Sequence, residues 1–457
     1  MSFLTEDPYL TEDDVYAHAH GICFKTGPPG LTGVESEWLV TSTGGPGGPG
    51  AHIPLHRVAA AVRAASPLPA GSAVTYEPGG QLELSSPPLP GPAAACRALA
   101  ADLRHLDPHL AAAGLRRTAY GLDPHRSPRR QLDLPRYSAM EAYFDARGPA
   151  GRTMMCCTAS LQVCLDIGRD GADARRRWRL LHRLGPVLVA AFANSPLRRG
   201  RPTGWRSTRQ AVWTELDPSR SRAVPDGDPA RGPGGDPARG PGGDPARGPG
   251  GDLGRGPGGD LGRGPGGGLG RDAGWDLDGG PDPAESWARY ALEAQVMVLR
   301  RADGAWIVDP GLRFRDWLAG GPYGRPTAAD LDHHLSTLFP PIRPRGWFEL
   351  RMIDALPEPW WRVPPAVAAA LLDDPRAADA CAEAVGPLPP DSWAEAARTG
   401  LAGPALARAA RACFAAARDA LPRIGAADLV PLVDAYIERY VEPGRSPADD
   451  LLSEVRT

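Results

Sequence analysis

The chain has 457 residues, with 51 Lys+Arg against 54 Asp+Glu and a formal net charge of −3, and this near balance argues against a general nucleic-acid-binding protein, which usually carries a basic excess. No apolar run reaches the roughly 18 residues of a membrane helix, and the polar, acidic N-terminus does not predict a signal peptide. The seven cysteines form no CxxC pair, which indicates neither a zinc ribbon nor a disulfide framework, and we expect a reduced, cytoplasmic protein.

The first 222 residues predict both strands and helices. Residues 32–40 and 73–86 are predicted as strands, the second interrupted by a Pro-Gly-Gly turn. Residues 154–167, MMCCTASLQVCLDI, carry apolar side chains at every odd position and several polar ones at even positions. Because side chains alternate across a strand, this segment predicts one long strand with a core face and a polar face in an antiparallel sheet. Helical spacing is predicted for residues 55–65, 92–113 and 175–194.

A Gly- and Pro-rich repeat interrupts the chain at residues 223–282. In this segment 33 of 60 residues are Gly or Pro, and the octapeptide GDPARGPG recurs before changing to GDLGRGPG. The repeat has almost no apolar side chains to bury, so it predicts a disordered insertion, and an interaction tether is the alternative. The insertion divides one folded domain into a first part, residues 1–222, and a second part, residues 283–457.

The second part is mostly helical in pattern. Residues 364–441 are rich in Ala, Leu and Arg at helical spacing. Because predicted strands and helices occur in separate runs, the fold class expected for the chain is α+β.

Carboxylates recur on the predicted strands. Side chains two residues apart leave the same face of a strand, and two segments show this spacing for charged residues. In a third segment two glutamates flank the Pro-Gly-Gly turn, where a bulge could change their shared face. These pairs are Glu35 with Glu37, Glu349 with Arg351, and Glu77 with Glu83.

The recurring carboxylates allow two interpretations. Glutamates that alternate on a strand also suit a solvated face. If the three faces converge instead, like charges at close range need cations between them. Oxygen ligands suit Mg²⁺ or Mn²⁺, so the second interpretation is a metal-dependent phosphoryl-transfer site. The chain has no GxxxxGK[ST] loop, so metals and arginines would hold a nucleotide.

Five segments resemble the actinobacterial, ergothioneine-linked branch of the plant-like glutamate–cysteine ligase family. They keep their order and span most of the chain outside the insertion. The segments are CFKTGPPGLTGVESEWLV (23–40), TYEPGGQLELSSPP (75–88), RYSAMEAYFDARGPAGRTMMCCTASLQVCLDIG (136–168), FANSPLRRGRPTGWRSTRQAVW (192–213) and HLSTLFPPIRPRGWFELRMIDA (334–355).

The resemblance implies a fold and a reaction. The implied fold is glutamine synthetase-like, with a curved, mainly antiparallel sheet of about six strands and helices packed on its outer face. The implied reaction joins the γ-carboxylate of L-glutamate to L-cysteine at the expense of ATP, through a γ-glutamyl phosphate, with Mg²⁺ or Mn²⁺ as cofactor. The products would be γ-glutamylcysteine, ADP and phosphate, and the two folded parts would form one catalytic domain.

The resemblance also assigns roles to residues. Arg351 would steady the transferring phosphate and contact the nucleotide, and Arg209 would bind a substrate carboxylate. Lys25, the single lysine of the chain, would contact phosphate or substrate, although an exposed structural lysine is equally compatible with the sequence. One departure is Cys164, where much of the family has Asn, because a thiol is a poor Mg²⁺ ligand. The implied metal ligands are Glu35, Glu37, Glu77, Glu83, Gln162 and Glu349.

Two other functions remain open at this point. The same scaffold could ligate glutamate to a different amine, since no residue identifies a cysteine pocket. A non-catalytic relative that binds glutamate or a nucleotide is the other alternative. In each case we expect small-molecule partners, no nucleic acid and no membrane, and the sequence leaves the oligomeric state open.

Overall fold

A computed structural model describes most of the chain outside the repeat. The predicted insertion 223–282 lies outside the described residues, apart from two residues at each end. The described residues are 9–44, 48, 50–224, 281–300, 306–386, 388–389 and 392–456.

The strands of the described part form one large sheet and two short hairpins. The large sheet contains eight strands, and its strands pair antiparallel. The strands are β1 (Leu31–Ser42), β2 (Ala73–Tyr76), β3 (Leu82–Ser85), β4 (Leu89–Pro90), β5 (Leu115–Thr118), β6 (Ser160–Asp166), β7 (Leu197–Arg198), β8 (Arg201–Pro202), β9 (Leu299–Arg300), β10 (Trp306–Ile307), β11 (Ile342–Pro344) and β12 (Trp347–Asp354).

The order of the strands brings distant segments together. Six strands run in the order β11-β12-β6-β1-β3-β2, and the short β4 and β5 pair with β1. The predicted antiparallel sheet of about six strands is thus confirmed. Strands β11 and β12 follow the repeat in sequence yet pair beside β6, which precedes it. Both parts of the chain therefore build the same sheet.

The helices make up most of the remaining described structure. Among them, none is long and apolar enough to cross a membrane. Short 3-10 or π segments occur at Ala19–Cys23, Trp360–Arg362, Gly400–Ala402, Ala427–Leu429 and Ile437–Val441. The α-helices are α1 (Glu12–His18), α2 (Leu55–Ala65), α3 (Gly91–Ala112), α4 (Pro135–Asp145), α5 (Ala150–Cys157), α6 (Gly171–Ala191), α7 (Thr208–Thr214), α8 (Pro218–Ser221), α9 (Pro283–Glu293), α10 (Phe314–Leu318), α11 (Ala328–Ser336), α12 (Val363–Asp373), α13 (Pro375–Val385), α14 (Ser392–Thr399), α15 (Pro404–Ala420), α16 (Val430–Tyr436) and α17 (Pro447–Arg456).

The two faces of the sheet differ in chemistry. One face is apolar and packs against helices α3, α6 and α12. Its buried side chains include Val34 and Trp38 of β1, Leu161 and Val163 of β6, and Phe348 of β12. Alternation along each strand sends the intervening polar side chains to the opposite face, which we call the site face. The α+β class predicted from the sequence is confirmed.

The prediction of one long strand over 154–167 is wrong in its first part. Helix α5 continues to Cys157, and β6 begins only at Ser160. The run Met-Met-Cys-Cys is apolar at consecutive positions, so it lacks the two-residue period of a half-buried strand. The side chains of Met154, Met155 and Cys156 join a small apolar cluster with Met140 and Phe144 of α4. Cys156 therefore lies on a helix and not on the polar face of a strand.

Candidate active site

The site face carries its side chains in rows across β1, β6 and β12. The rows follow from the register, which pairs Glu35 with Gln162, and Cys164 with both Gly33 and Glu349. From the exposed end inward, the rows are Leu31, Asp166 and Trp347; then Gly33, Cys164 and Glu349; then Glu35, Gln162 and Arg351; and finally Glu37 with Ser160, beside Glu83 of β3.

Three glutamates converge at the inner end of the site face. Carboxylate oxygens of Glu37, Glu77 and Glu83 all lie within 4.8 Å of one another. Glu37 is directly opposite Glu83 in the pairing of β1 with β3. The backbone N–H and the hydroxyl of Ser160 donate to Glu37 at 2.9 and 2.8 Å, and these bonds hold its carboxylate in place. We call these three residues the acid cluster.

The electrostatics of the acid cluster fit a bound cation. Burial, with the charge of Glu83, raises the pKa of Glu37. Burial also raises the pKa of Glu77 well above its usual value, and the neighbouring carboxylates add to this effect. Carboxylates at such distances cannot all ionise without a compensating charge. Three oxygen ligands from rigid elements are the donor set that Mg²⁺ or Mn²⁺ takes.

A tight turn between β2 and β3 places Glu77 in the acid cluster. The N–H of Gly80 donates to the carbonyl of Glu77 at 2.8 Å, and the N–H of Glu77 donates to the carbonyl of Gln81 at 3.0 Å. A Cβ on Gly79 would collide with the backbone of Cys156, and Gly80 has a φ of 88°. The turn therefore requires glycine at both positions, once for close approach and once for conformation.

The carboxylate of Glu349 is bonded to two arginines. Arg343 donates to both oxygens of its carboxylate at 2.6 and 3.1 Å, and Arg351 donates at 3.2 Å. Although burial opposes ionisation, these two arginines lower the pKa of Glu349 to about 2. Arg351 also donates to Oε1 of Gln162 at 2.7 Å. Glu349 thus lies in the predicted place, with its oxygens already bonded to guanidinium groups.

Glu35 occupies the middle of the site face in a different environment. Burial, followed by the charges of Glu349 and Glu83, raises the pKa of Glu35 to about 7. The thiol of Cys164 donates to its Oε1 at 3.8 Å. The residue that departs from the family pattern therefore points to the site face and contacts a predicted metal ligand.

Of the two remaining predicted residues, Arg209 lines the cleft and Lys25 lies outside it. Arg209, on α7, is 3 % exposed and lines the cleft above the site face. Its Nη2 donates to the carbonyl of Arg351 at 2.7 Å, while Nε and Nη1 have no hydrogen-bond partner among the described residues. Lys25 is exposed and is not among the residues that line the cleft.

The cleft has a volume of about 320 Å³ and unites the predicted residues with others that the motifs did not identify. All six predicted metal ligands and both predicted arginines line the cleft, and Lys25 does not. The residues missed include the arginines Arg136, Arg343 and Arg345 and an apolar wall. Arg343 lies in β11, and Arg345 lies beside Gly346 in the connection to β12. Interpreting RPRGWFELR as a hairpin could have placed Arg343 opposite Glu349. The apolar wall consists of Tyr137, Met140, Met154, Met155, Trp213 and Phe339.

Comparisons with known proteins identify the family. The model of "Glutamate-cysteine ligase family 2 (GCS2)" matches residues 31–230 and 276–456. A glutamate–cysteine ligase EgtA of Mycolicibacterium smegmatis is 38% identical over 453 residues, which cover 98% of this chain and 92% of that protein. The EgtA of Mycobacterium tuberculosis strain CDC 1551 is 37% identical over 440 residues, 95% of this chain and 88% of that protein.

More distant similarities extend over less of each chain or are weaker. A chloroplastic glutamate–cysteine ligase of Brassica juncea is 28% identical over 299 residues, 64% of this chain and 47% of that protein. Among solved structures, a bifunctional glutathione synthetase from Pasteurella multocida aligns with a TM-score of 0.48 and 14% identity, covering 98% of this chain and 52% of that one. The family match and the two near full-length relatives establish that the chain belongs to glutamate–cysteine ligase family 2.

Proposed function

We propose that the protein joins the γ-carboxylate of L-glutamate to the amine of L-cysteine, using ATP, through a γ-glutamyl phosphate. The observation that carries this proposal is the convergence of five glutamates and five arginines in one cleft of a chain that belongs to this family. Phosphoryl transfer needs the reactants held in line and the charge on the phosphate oxygens neutralised. The cleft offers groups for both tasks and needs no covalent protein intermediate.

The divalent metal, which we propose to be Mg²⁺ or Mn²⁺, would be held by the acid cluster, with Glu35 and Gln162 beside it. When bound, such a metal neutralises charge on the phosphate oxygens. Glu349 would contribute less directly, because Arg343 and Arg351 already bind its carboxylate.

The arginines would position the anionic substrates. Arg209 is buried and lines the cleft. Its Nε has no hydrogen-bond partner among the described residues, and its Nη1 makes no hydrogen bond but lies 3.8 Å from Oδ1 of Asp354. The planar guanidinium suits bidentate binding of a glutamate carboxylate. Arg351 has no hydrogen-bond partner for Nε among the described residues, while its Nη1 donates to both Gln162 and Glu349. This anchoring fixes the guanidinium, which we propose stabilises charge on the transferring phosphate.

The cellular setting of the reaction is also a proposal. The resemblance of the sequence to the ergothioneine-linked branch, together with the two near full-length EgtA relatives, supports use of the product in ergothioneine biosynthesis. A cytoplasmic location fits a reaction that handles a free thiol and ATP, because thiols stay reduced there.

The proposed function is tested by measuring ADP release with glutamate and Mg²⁺, with and without cysteine. We expect ADP formation that depends on cysteine and a product with the mass of γ-glutamylcysteine. Parallel assays with serine and 2-aminobutyrate distinguish cysteine from other amines of similar size. Faster turnover with another amine would reassign the second substrate, and the absence of any amine-dependent ADP release would contradict the ligase reaction.

A further inference from the structure

A second depression adjoins the cleft at the exposed end of the site face. Residues of the first two rows form most of it, namely Leu31, Asp166, Trp347, Gly33 and Cys164, and we call it the outer niche. Its volume is about 280 Å³, and Glu35 lines both the niche and the cleft. Gly33 lets the side chain of Cys164 pack closely on the floor of the niche, since a Cβ at Gly33 would lie only 3.2 Å from the Cβ of Cys164.

The niche is bordered by two exposed apolar side chains. Leu31 is 43% exposed and Trp347 is 38% exposed, whereas most large apolar side chains of the sheet are buried. Both occupy the same row, because the N–H of Leu31 donates to the carboxylate of Asp166 at 2.8 Å and Trp347 pairs with Asp166. An exposed indole beside a shallow depression is a surface on which a planar aromatic ring stacks.

Arg345 connects the niche to the cleft. Its guanidinium lies 5.4 Å from the ring centroid of Trp347, and its Nη1 lies 3.8 Å from Oε1 of Glu349. Its side chain is 48% exposed and also lines the cleft. The group is therefore a cation located between an exposed aromatic ring and the acidic part of the site.

We propose that the outer niche binds the nucleobase of ATP, with the base stacked on Trp347 and the phosphates extending past Arg345 toward Glu35 and the acid cluster. This inference rests on the proposed function and assigns specificity-determining residues to it. A strand advances about 3.4 Å per residue, so Glu35 lies about 14 Å from Leu31 along β1. A ribose and an extended triphosphate bridge a separation of this size.

The small volume of the cleft, and the contacts of the aromatic side chains at its inner end, both support placing the base in the outer niche. A cleft of about 320 Å³ is at the small end of ligand pockets and leaves little space for a base beside glutamate and the phosphates. The aromatic side chains at the other end already contact protein groups: Trp213 packs edge-on against Phe339 at 5.8 Å, with Arg209 5.9 Å from its ring. Trp347 is 38% exposed and borders the niche, so part of its indole stays accessible to a ligand although Arg345 lies 5.4 Å from the ring centroid.

Equilibrium binding to the full-length protein tests this inference. Calorimetry with Mg²⁺ would compare ADP with inorganic tripolyphosphate, which has phosphates and no base. We expect Trp347→Ala to weaken ADP binding at least about tenfold, since stacking of one base on an aromatic ring has this magnitude. Trp347→Phe keeps a stacking surface and should stay within about threefold of the wild type. Neither change should affect tripolyphosphate.

The outcomes separate this inference from the proposed function. If the wild type binds ADP and Trp347→Ala binds it equally well, the base lies elsewhere and the inference is overturned, while the ligase proposal stands. Equal weakening of ADP and tripolyphosphate also overturns it, because the loss would not concern the base. If the wild type binds no ADP and releases none in the assay, the proposed function itself fails. Thermal unfolding of both variants checks that the exposed substitutions leave the fold intact.

Discussion

Glu35 and Glu37 leave the same face of β1, two residues apart, yet they belong to different parts of the site. Glu37 joins the acid cluster and is fixed by Ser160. Glu35 contacts Cys164, and its pKa is raised to about 7 by burial and by the nearby Glu349 and Glu83. The spacing explains their shared face, and the neighbouring strands explain their different chemistry.

We expect Glu77→Gln to raise the melting temperature of the metal-free protein and to abolish the further stabilisation by Mg²⁺. Burial and neighbouring carboxylates raise the pKa of Glu77 well above its usual value, so removing this acid should raise the melting temperature of the metal-free protein. The same change removes a metal ligand, so the gain in melting temperature on adding Mg²⁺ should disappear, together with turnover. Glu215→Gln, at an exposed glutamate outside the cleft, should change neither. A normal Mg²⁺-dependent gain in Glu77→Gln would contradict the assignment.

Glu35 predicts a dependence of both stability and metal affinity on pH. Its pKa of about 7 in the fold lies above the roughly 4.3 of an exposed glutamate, so the folded state holds the proton more tightly. The stabilising contribution of this proton is complete below about pH 4.3 and is lost as the pH rises through about 7. Metal binding requires the carboxylate, so apparent Mg²⁺ affinity should rise over the same interval.

Calorimetry in buffers of different ionisation enthalpy measures this linkage. Mg²⁺ binding near pH 6.5 should release protons in the wild type and fewer in Glu35→Gln. An apparent affinity that stays constant between about pH 5.5 and about pH 8 would show that Glu35 does not titrate with metal binding.

Arg209→Lys should weaken glutamate binding more than nucleotide binding. Lysine keeps the charge but lacks the two parallel donors that bind a carboxylate in bidentate fashion. We expect the KM for glutamate to rise about tenfold or more, and the KM for ATP to change little. Steady-state kinetics with each substrate varied in turn provide the measurement. Equal increases in both KM values would indicate a general disturbance of the buried arginine and not a substrate contact.

Among the secondary-structure elements, the β2–β3 turn has the largest effect on the site. It takes Glu77 out of the strand and brings it toward Glu37, which the even spacing of Glu77 and Glu83 could not predict. The turn packs against the end of α5, and Gln131 donates to the carbonyl of Gly79 at 2.8 Å. Helix α5 is the element that the sequence pattern misassigned, because four consecutive apolar residues fit a buried helix as well as a strand.

Gly79→Ala should disturb the turn and the acid cluster together. The added methyl would meet the backbone of Cys156, which cannot move without shifting the end of α5. We expect a lower melting temperature and a weaker Mg²⁺ response than in the wild type. Gly27→Ala is a matched control, since a Cβ at Gly27 would meet no atom within 4 Å. A Gly79→Ala protein with wild-type stability and metal response would show that the turn tolerates the extra volume.

In the molecule as a whole, the repeat separates two segments that build a common sheet. Its flanks lie close to packed elements, since the hydroxyl of Tyr290 on α9 donates to the carbonyl of Arg222 at 3.3 Å. The composition of residues 223–282 predicts disorder, and the residues between Val224 and Pro281 lie outside the described structure. The division into a first part, an insertion and a second part remains a prediction.

Deletion of residues 228–271 should leave kcat within about threefold of the wild type, because the composition predicts disorder there and shortening such a loop changes closure entropy little. Residues 222–227 and 272–282, 17 in all, would still connect the end of α8 to the start of α9. The measurement is kcat with saturating substrates, together with the melting temperature. A large loss of activity or of solubility would show that the repeat contributes to the folded structure or covers the site.

The sequence alone determined the elements with a clear local period and the direction of their side chains. Strand β1, helices α2 and α3 and the shared face of Glu35 and Glu37 depend on two-residue or helical spacing, which neighbouring residues define. The tertiary structure decided which carboxylates meet, that Arg343 holds Glu349, and that Trp347 and Leu31 border one niche. These relations depend on strand pairing between residues far apart in sequence, such as Glu349 with Cys164. A local pattern contains no information on that register, which is set by packing of the whole sheet.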